Sequence, residues 1–349
     1  MGKEIYNINL GNTDQSIRKN ADSDFITFWD KQAKSLSWFK HWENTLDWNP
    51  PFARWFVGGK INASFNALDI HQDSKSNKTA IFWEGEDGTS REISYSELFT
   101  DVKKFANVLK SLGVKKGDRV TIYLPMVPEL PISMLACARI GATHTVVFSG
   151  FSAISLKDRV QDSGSKVIIT ADGGYRKGKI ISLKEIVDEK AAAVNSVQHI
   201  VILERTKTKI TLNKKDKLWS DLMSEISDDC NAEELDSIHP LYILYTSGTT
   251  GKPKGVLHGT GGYLTHIHST YKWAFDIKDN DIYFCTADIG WVTGHSYVVY
   301  GPLLHGATQV MYEGAPDYPS TSRMWEIIQK YNVTIFYTTP TALRMLMKF

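Results

Sequence analysis

No apolar run in the 349 residues reaches the roughly 18 that a membrane-spanning helix needs, so no such span is expected. The N-terminus, MGKEIYNINLGN, has no apolar signal core, and Tyr6 stands where a myristoylation signal needs Ser or Thr. Cysteine is scarce. Cys137, Cys230 and Cys285 are far apart, odd in number and without CxxC spacing, which argues against a disulfide framework or a thiolate zinc site and fits a reducing cytosol. Neither sign of charge is in excess: a formal net charge of +1 gives no basic field for nucleic acid and no acidic balance for cationic partners. There is no short-period repeat, no Gly-x-x-x-x-Gly-Lys-Ser/Thr phosphate loop, and no legible Ser/His/Asp or Cys/His nucleophile arrangement. His258, His266, His268, His295 and His305 lack a carboxylate at helical ligand spacing, so no metal ligand is assigned.

What is present is a globular composition, 42% hydrophobic and 23% charged, on a chain long enough for about two domains. Residues 1–20 are polar and patternless and read as extended or poorly ordered, with structure beginning near Asp24. Aromatics are dense from Phe25 to Trp55; Phe25, Phe28 and Trp29 share helical spacing behind Asp24, a helix cap, and an aromatic arm wrapping a larger body is expected. TAIFWE and REISY, at 79–84 and 91–95, read as a hairpin, and Ser94 caps a helix with the apolar face Leu98, Val102, Phe105, Ala106 and Leu109 that stops at Gly113. From Arg119 the near-continuous apolar strands RVTIYLP, THTVVFS, KVIITA and HIVILE alternate with helices, the pattern of a parallel sheet covered on both faces. RTKTKITLNKKDK, 205–217, reads as a solvated basic loop. After Pro240 a second series, LYILYTS, DIYFCTA, ATQVMYE and VTIFYTT, predicts a second parallel sheet, with a boundary between the two at about 205–240.

The densest chemistry is YTSGTTGKPKGV, Tyr245 to Val256, directly after the apolar run from Leu241. Gly248, Gly251, Gly255 and Pro253 rule out continued strand or a clean helix start, so a loop over a strand end is expected. Thr246, Ser247, Thr249 and Thr250 supply hydroxyls, the glycines admit bare backbone N–H groups, and Lys252 and Lys254 supply charge: the loop suits a polyphosphate. ADGGYRKGK, Ala171 to Lys179, puts two glycines and the cations Arg176, Lys177 and Lys179 after another strand end, where an anion or plain solvent fits equally well. DIGWVTGHSY carries Trp291, Val292 and Thr293 at a strand-to-helix turn over the same sheet edge as the phosphate loop.

YTSGTTGKPKGV resembles the signature loop of the adenylate-forming superfamily, and FARWFVGGKINASFNALDIH, 52–71, resembles the leader of acetyl-CoA synthetases within it. The resemblance implies an α/β fold of two stacked, doubly wound, mostly parallel sheets with an aromatic-rich N-terminal arm, divided as arm 1–75, first subdomain 76–215 and second subdomain 216–349. It implies an AMP-forming acetate–CoA ligase using ATP, Mg²⁺ and coenzyme A, with propionate or 3-hydroxypropionate as alternative acids and a non-catalytic CoA- or nucleotide-binding piece as the rival reading. Thr246, Thr249, Thr250 and Lys254 would be its catalytic positions, and Ser247, Gly248, Gly251 and Lys252 would bind the nucleotide. Arg176, Lys177, Gly178 and Lys179 stand where the family has Arg-x-Gly-Arg against the nucleotide end of CoA, with Lys179 in the last place. Phe148, Ser149 and Gly150 resemble a segment with two glycines beside the CoA adenine, Ser149 replacing the first. Trp291, Val292 and Thr293 match a Trp-Val-Thr that lines the acetate pocket, the threonine also on the CoA path. Asp317 stands where Asn is common near CoA, and an aspartate facing phosphates is repelled by them.

The resemblance runs from about Asp24 to Phe349, and acetyl-CoA synthetases continue for about as long again. The chain is therefore expected to be an N-terminal fragment, without the family's ribose-binding aspartate, pocket-floor tryptophan or adenylation lysine, and to make no acetyl-CoA alone. A cytoplasmic protein acting on small molecules is implied, with no nucleic-acid or membrane partner.

Overall fold

The structure is a computed structural model and describes residues 15–246 and 253–348. Its centre is a seven-stranded sheet in the order Asp216–Leu218, His199–Leu203, Val167–Ala171, Arg119–Tyr123, Thr143–Val146, Pro240–Thr246 and Lys254–Gly259. All neighbours pair in parallel except the last two, which form an antiparallel edge. A five-stranded sheet runs Ile335–Tyr337, Ile282–Cys285, Thr308–Glu313, Thr79–Gly85 and Ser90–Ser94, parallel apart from its own edge hairpin. Every residue of Val167–Ala171 and of Thr143–Val146 is buried, as strands covered on both faces must be.

Two expectations need correction. LYILYTS opens no second sheet: Tyr242 pairs with His144, so this strand completes the first. The hairpin at 79–94, in turn, belongs to the second sheet, through register pairs such as Val310 with Phe82. The sheets are thus interleaved along the chain, and position 215 does not separate them. Apolar runs identify strands but carry no information on which buried edge each will join. Residues 15–23 also depart from the reading of a patternless terminus, since Ser16–Ser23 is a helix; it buries none of its own residues, so no apolar stripe announces it.

Local signals held elsewhere. Asp24 caps Phe25–Ala33, accepting from the Thr27 N–H at 3.0 Å. Ser94 and Glu97 form a reciprocal capping box on Tyr95–Ser111, whose inner face includes Leu98, Val102, Phe105, Ala106 and Leu109. The aromatic arm folds as a hairpin, Asn44–Asn49 against Phe52–Val57, whose Phe56 packs edge-on or tilted against Trp38, Trp42 and Trp55. One large core takes residues from both sheets, among them Ile168, Val120, Ile81, Tyr283 and Met311. The alternate residues Phe284, Val310 and Tyr312 face the other way, onto Met324 and Ile327 of the helix Arg323–Lys330. Among the described residues no helix is long and apolar enough to cross a membrane.

Candidate functional site

The carboxyl ends of parallel strands from both sheets open onto one cleft of about 970 Å³. Pro125 and Met126 follow one strand, Phe148 and Ser149 the next, Gly174 to Arg176 a third, and Thr246 ends a fourth; from the second sheet come Thr286 to Asp288, Glu313 and Gly314, and Thr338 and Thr339. In open α/β sheets this edge is where ligands bind, because strand-to-helix turns leave backbone groups and loop side chains free there.

The loop expected over Tyr245 to Val256 is strand at both ends, Pro240–Thr246 and Lys254–Gly259 pairing antiparallel. Thr246 pairs with Lys254 across the base of this hairpin, Lys254 is exposed, and Thr246 lines the cleft. Sequence reading did not foresee the second strand, since glycine at 255 and 259 hides it. Ser247, Gly248, Thr249, Thr250, Gly251 and Lys252 lie outside the described residues.

Trp291 and Val292 are not core. They are 52% and 49% exposed, and with Thr293 they line the cleft where the chain turns from Ile282–Cys285 into the next helix. That helix, running from Val292 to Leu304, widens to i→i+5 hydrogen bonding over His295–Tyr300, an irregularity frequent at functional sites. The His295 ring holds its start, with Nδ1 at 3.2 Å from the Trp291 carbonyl oxygen; burial drives the His295 pKa down to about 4, so the ring is neutral and Nδ1 donates. Trp291 packs against Phe148 and Phe151, which brings the two sheets' loops together. Gly290 permits the approach: a Cβ there would lie 2.9 Å from the Phe148 Cα. Val292, Thr293 and His258 also line a second cavity of about 650 Å³, bounded by Trp55, Tyr263, His266 and Ser296, so these three residues form a wall between two spaces.

The cations of 176–179 are not equivalent. Arg176 is exposed at the cleft, its guanidinium 5.8 Å from the Phe148 ring centroid. Lys177 points away to Asp317, Nζ to Oδ2 2.8 Å, so Asp317 is neutralised by a neighbour and its pKa is held down chiefly by that hydrogen bond. This removes the repulsion expected of an aspartate beside phosphates. The other Asp317 oxygen, Oδ1, is buried with no hydrogen-bond partner among the described residues. Gly178 has φ +72°, and a side chain there would run into the Tyr318 hydroxyl, so glycine is required by the turn itself. Lys179 is exposed, and neither it, Lys177, Gly178, Asp317 nor Gly150 lines the cleft.

Several lining residues were missed. Asp288 is half-buried, its Oδ1 accepting from the Gly290 N–H at 2.7 Å, and burial pushes its carboxyl up to about 6. Its position directly after a strand end was the available signal. Thr339 caps the helix Pro340–Leu346 through the Ala342 N–H, and the Thr338 and Thr286 hydroxyls lie 2.6 Å apart; the Thr-Pro following an apolar strand could have marked this corner. His258 stacks on Tyr242 at 4.3 Å, and burial lowers its pKa. His268 and His305 stack at 4.3 Å, and among the described residues no three His, Cys, Asp or Glu side chains form a group able to hold a metal.

An α/β body whose two sheets direct strand ends into one nucleotide-sized cleft, with Thr246 at the head of a Thr/Gly/Lys-rich sequence among its lining residues, defines a class of nucleotide-binding enzyme. The chain belongs to the AMP-binding enzyme family, whose model matches residues 68–349, and residues 15–67 match the acetyl-coenzyme A synthetase N-terminus. It is 55% identical over 338 residues to the acetyl-coenzyme A synthetase of Rubrobacter xylanophilus, covering 96% of this chain and 52% of that protein. Against the acetyl-coenzyme A synthetase of Chlorobaculum tepidum it is 52% identical over 332 residues, covering 95% and 50%. The solved structure of acetoacetyl-CoA synthetase from Streptomyces lividans superposes with a TM-score of 0.87 at 27% identity, over 95% of this chain and 51% of that one. The chain thus spans about half the length of the curated relatives it matches.

Proposed function

We propose that this chain carries the carboxylate- and nucleotide-binding cleft of an AMP-forming acetate–CoA ligase working in the cytoplasm on small molecules. In the first step an acetate oxygen attacks the α-phosphorus of ATP, the bond to pyrophosphate breaks, and acetyl-adenylate forms; in the second the CoA thiolate attacks the acyl carbonyl and AMP leaves. The observation that carries the reading is the convergence of Thr246, paired with Lys254 at a hairpin base, the Trp291–Thr293 turn and Arg176 on one cleft.

The residues have separable tasks. Thr246, Lys254 and the intervening loop hold the phosphates and so fix the line of attack, which is most of what phosphoryl-type transfer requires of a protein. Trp291 and Val292 bound the acyl group, and Thr293 stands where acyl and thiol must meet. Phe148, Ser149 and Gly150, with Arg176, Lys179 and the Lys177–Asp317 pair, lie on the side that takes the phosphorylated end of CoA. Mg²⁺ bound with the triphosphate would supply charge neutralisation, and Thr246, a hard oxygen donor lining the cleft, would be placed to face it.

The test is acetate-dependent ATP–pyrophosphate exchange, measured on this chain joined to the remaining half of the Rubrobacter xylanophilus relative. Exchange is expected, and Lys254→Ala should lower it at least roughly tenfold, the value of a lost charge-assisted contact of about 1.5 kcal/mol or more. Exchange that ignores acetate, or survives Lys254→Ala unchanged, overturns the reading.

A further inference from the structure

The hairpin Gly174–Arg176 and Lys179–Ile181 turns through Lys177 and Gly178, at φ +52° and +72°. Successive backbone N–H groups in such a turn point to one side and form a concavity that binds anions. Beside exposed cations at a strand end, a ligand phosphate is the obvious occupant. The chain fills the place itself: Glu86 Oε2 accepts from the Lys177 N–H at 2.9 Å and Glu86 Oε1 from the Gly178 N–H at 2.8 Å. Oε2 also accepts from the Ala315 N–H at 3.0 Å, on the loop that leads to Asp317. Glu86 is 6% exposed.

We infer that Glu86 is a positioning residue for polyanion recognition: its carboxylate fills the hairpin's anion nest and clamps the 174–181 hairpin to the 313–318 loop, so that a phosphorylated nucleotide is met by Arg176 and Lys179 side chains and not by backbone. The inference rests on the reading that this face takes the phosphorylated end of CoA.

Three features support it. A buried carboxylate held by three N–H groups is a charge-assisted tie, roughly twice as strong per bond as a neutral one, and here it joins two loops that share no strand pairing. The same two loops are joined again by Lys177 and Asp317, which spends the Lys177 charge and leaves Arg176 and Lys179 as the hairpin's outward cations. Finally, the turn bearing Glu86 is itself fixed: Asp87 grips Arg205 at 3.0 Å and Arg205 grips Glu313 at 2.7 Å, at the root of the 313–318 loop. A clamp anchored at both ends presents its cations in one geometry, and a ligand then loses less freedom in ordering them.

The experiment compares the wild-type chain with Glu86→Gln and Glu86→Ala. Amide hydrogen exchange is followed at Lys177, Gly178 and Ala315, calorimetry gives affinities for CoA, adenosine 3′,5′-bisphosphate and ATP, and Tm is recorded for each variant. Glu86→Gln, which sets an NH₂ group against a backbone donor, should speed exchange at the three amides and weaken CoA and the bisphosphate by about tenfold, with ATP affinity changed less than about twofold. In Glu86→Ala, inorganic sulfate should restore protection of Lys177 and Gly178, because the vacated nest takes an anion from solution. Unchanged exchange at all three amides would overturn the clamp. Loss of CoA and ATP affinity in equal proportion with a falling Tm would reduce Glu86 to general stability and overturn the positioning role. If the wild-type chain binds neither CoA nor the bisphosphate, the recognition half falls together with the site reading, while the exchange data still decide the clamp.

Discussion

Val292 shows how far a single residue can be read from sequence. A valine after a tryptophan ordinarily means core, yet here it is half exposed and forms part of the wall between two cavities. Trimming it to alanine should open the acyl space toward the cavity bounded by Trp55, Tyr263 and Ser296. In the full-length chimera the ratio of kcat/KM for propionate over acetate should therefore rise, within the roughly 10- to 200-fold that one methylene is worth in an apolar pocket; an unmoved ratio removes Val292 from specificity. Asp288 gives a pH prediction. Its folded-state pKa is raised from 3.8 to about 6 by burial, so the folded chain holds this proton more tightly than the unfolded chain does. Stability from this group is present at low pH and lost as pH rises through that interval. Urea unfolding at pH 5 and pH 8 should show wild type losing on the order of 1 kcal/mol that Asp288→Asn retains, and parallel pH profiles for the two proteins would refute it. Asp288 went unnoticed because a lone aspartate at a strand end is common; the burial that makes it unusual is set by the fold and not by its sequence neighbours' type.

Elements were legible where their signals are local. The Ser94 and Asp24 caps and the near-continuous apolar strands could all be read because cap chemistry and burial on both faces are written in consecutive residues. Ser94→Ala should accordingly destabilise the chain by about 1 kcal/mol, seen as a lower urea midpoint at unchanged slope, since the Glu97 N–H loses its partner. The strand Lys254–Gly259 was not legible, because its burial pattern is almost wholly exposed and its stability comes from pairing with Pro240–Thr246. The clamp at Glu86 was equally silent: an acidic turn reads as solvated surface, and only the fold brings it against a hairpin 91 residues later in the chain.

At the scale of the whole molecule, the interleaving of the sheets decides how the chain folds. It starts the second sheet at 79–94, builds the first from Arg119 to Gly259, and returns to finish the second from Ile282 to Tyr337. A cut between residues 215 and 216, the boundary that composition and alternation suggested, would leave strands of both sheets on both pieces. Thr143–Val146 would lose Pro240–Thr246, His199–Leu203 would lose Asp216–Leu218, and Thr79–Gly85 would lose Thr308–Glu313. Exposed parallel edges and half of a shared core cannot support either piece, because the apolar area left to each falls while the entropy to be overcome per residue does not. The uncut chain should therefore unfold in urea as one transition, with tryptophan fluorescence and far-ultraviolet circular dichroism superimposing. The pieces 1–215 and 216–349 should each lack a cooperative transition when expressed singly, and regain one when refolded together. Two resolved transitions in the intact chain, or a cooperative transition in either piece alone, would show that each sheet's core is self-sufficient and that the boundary near 215 is a real division.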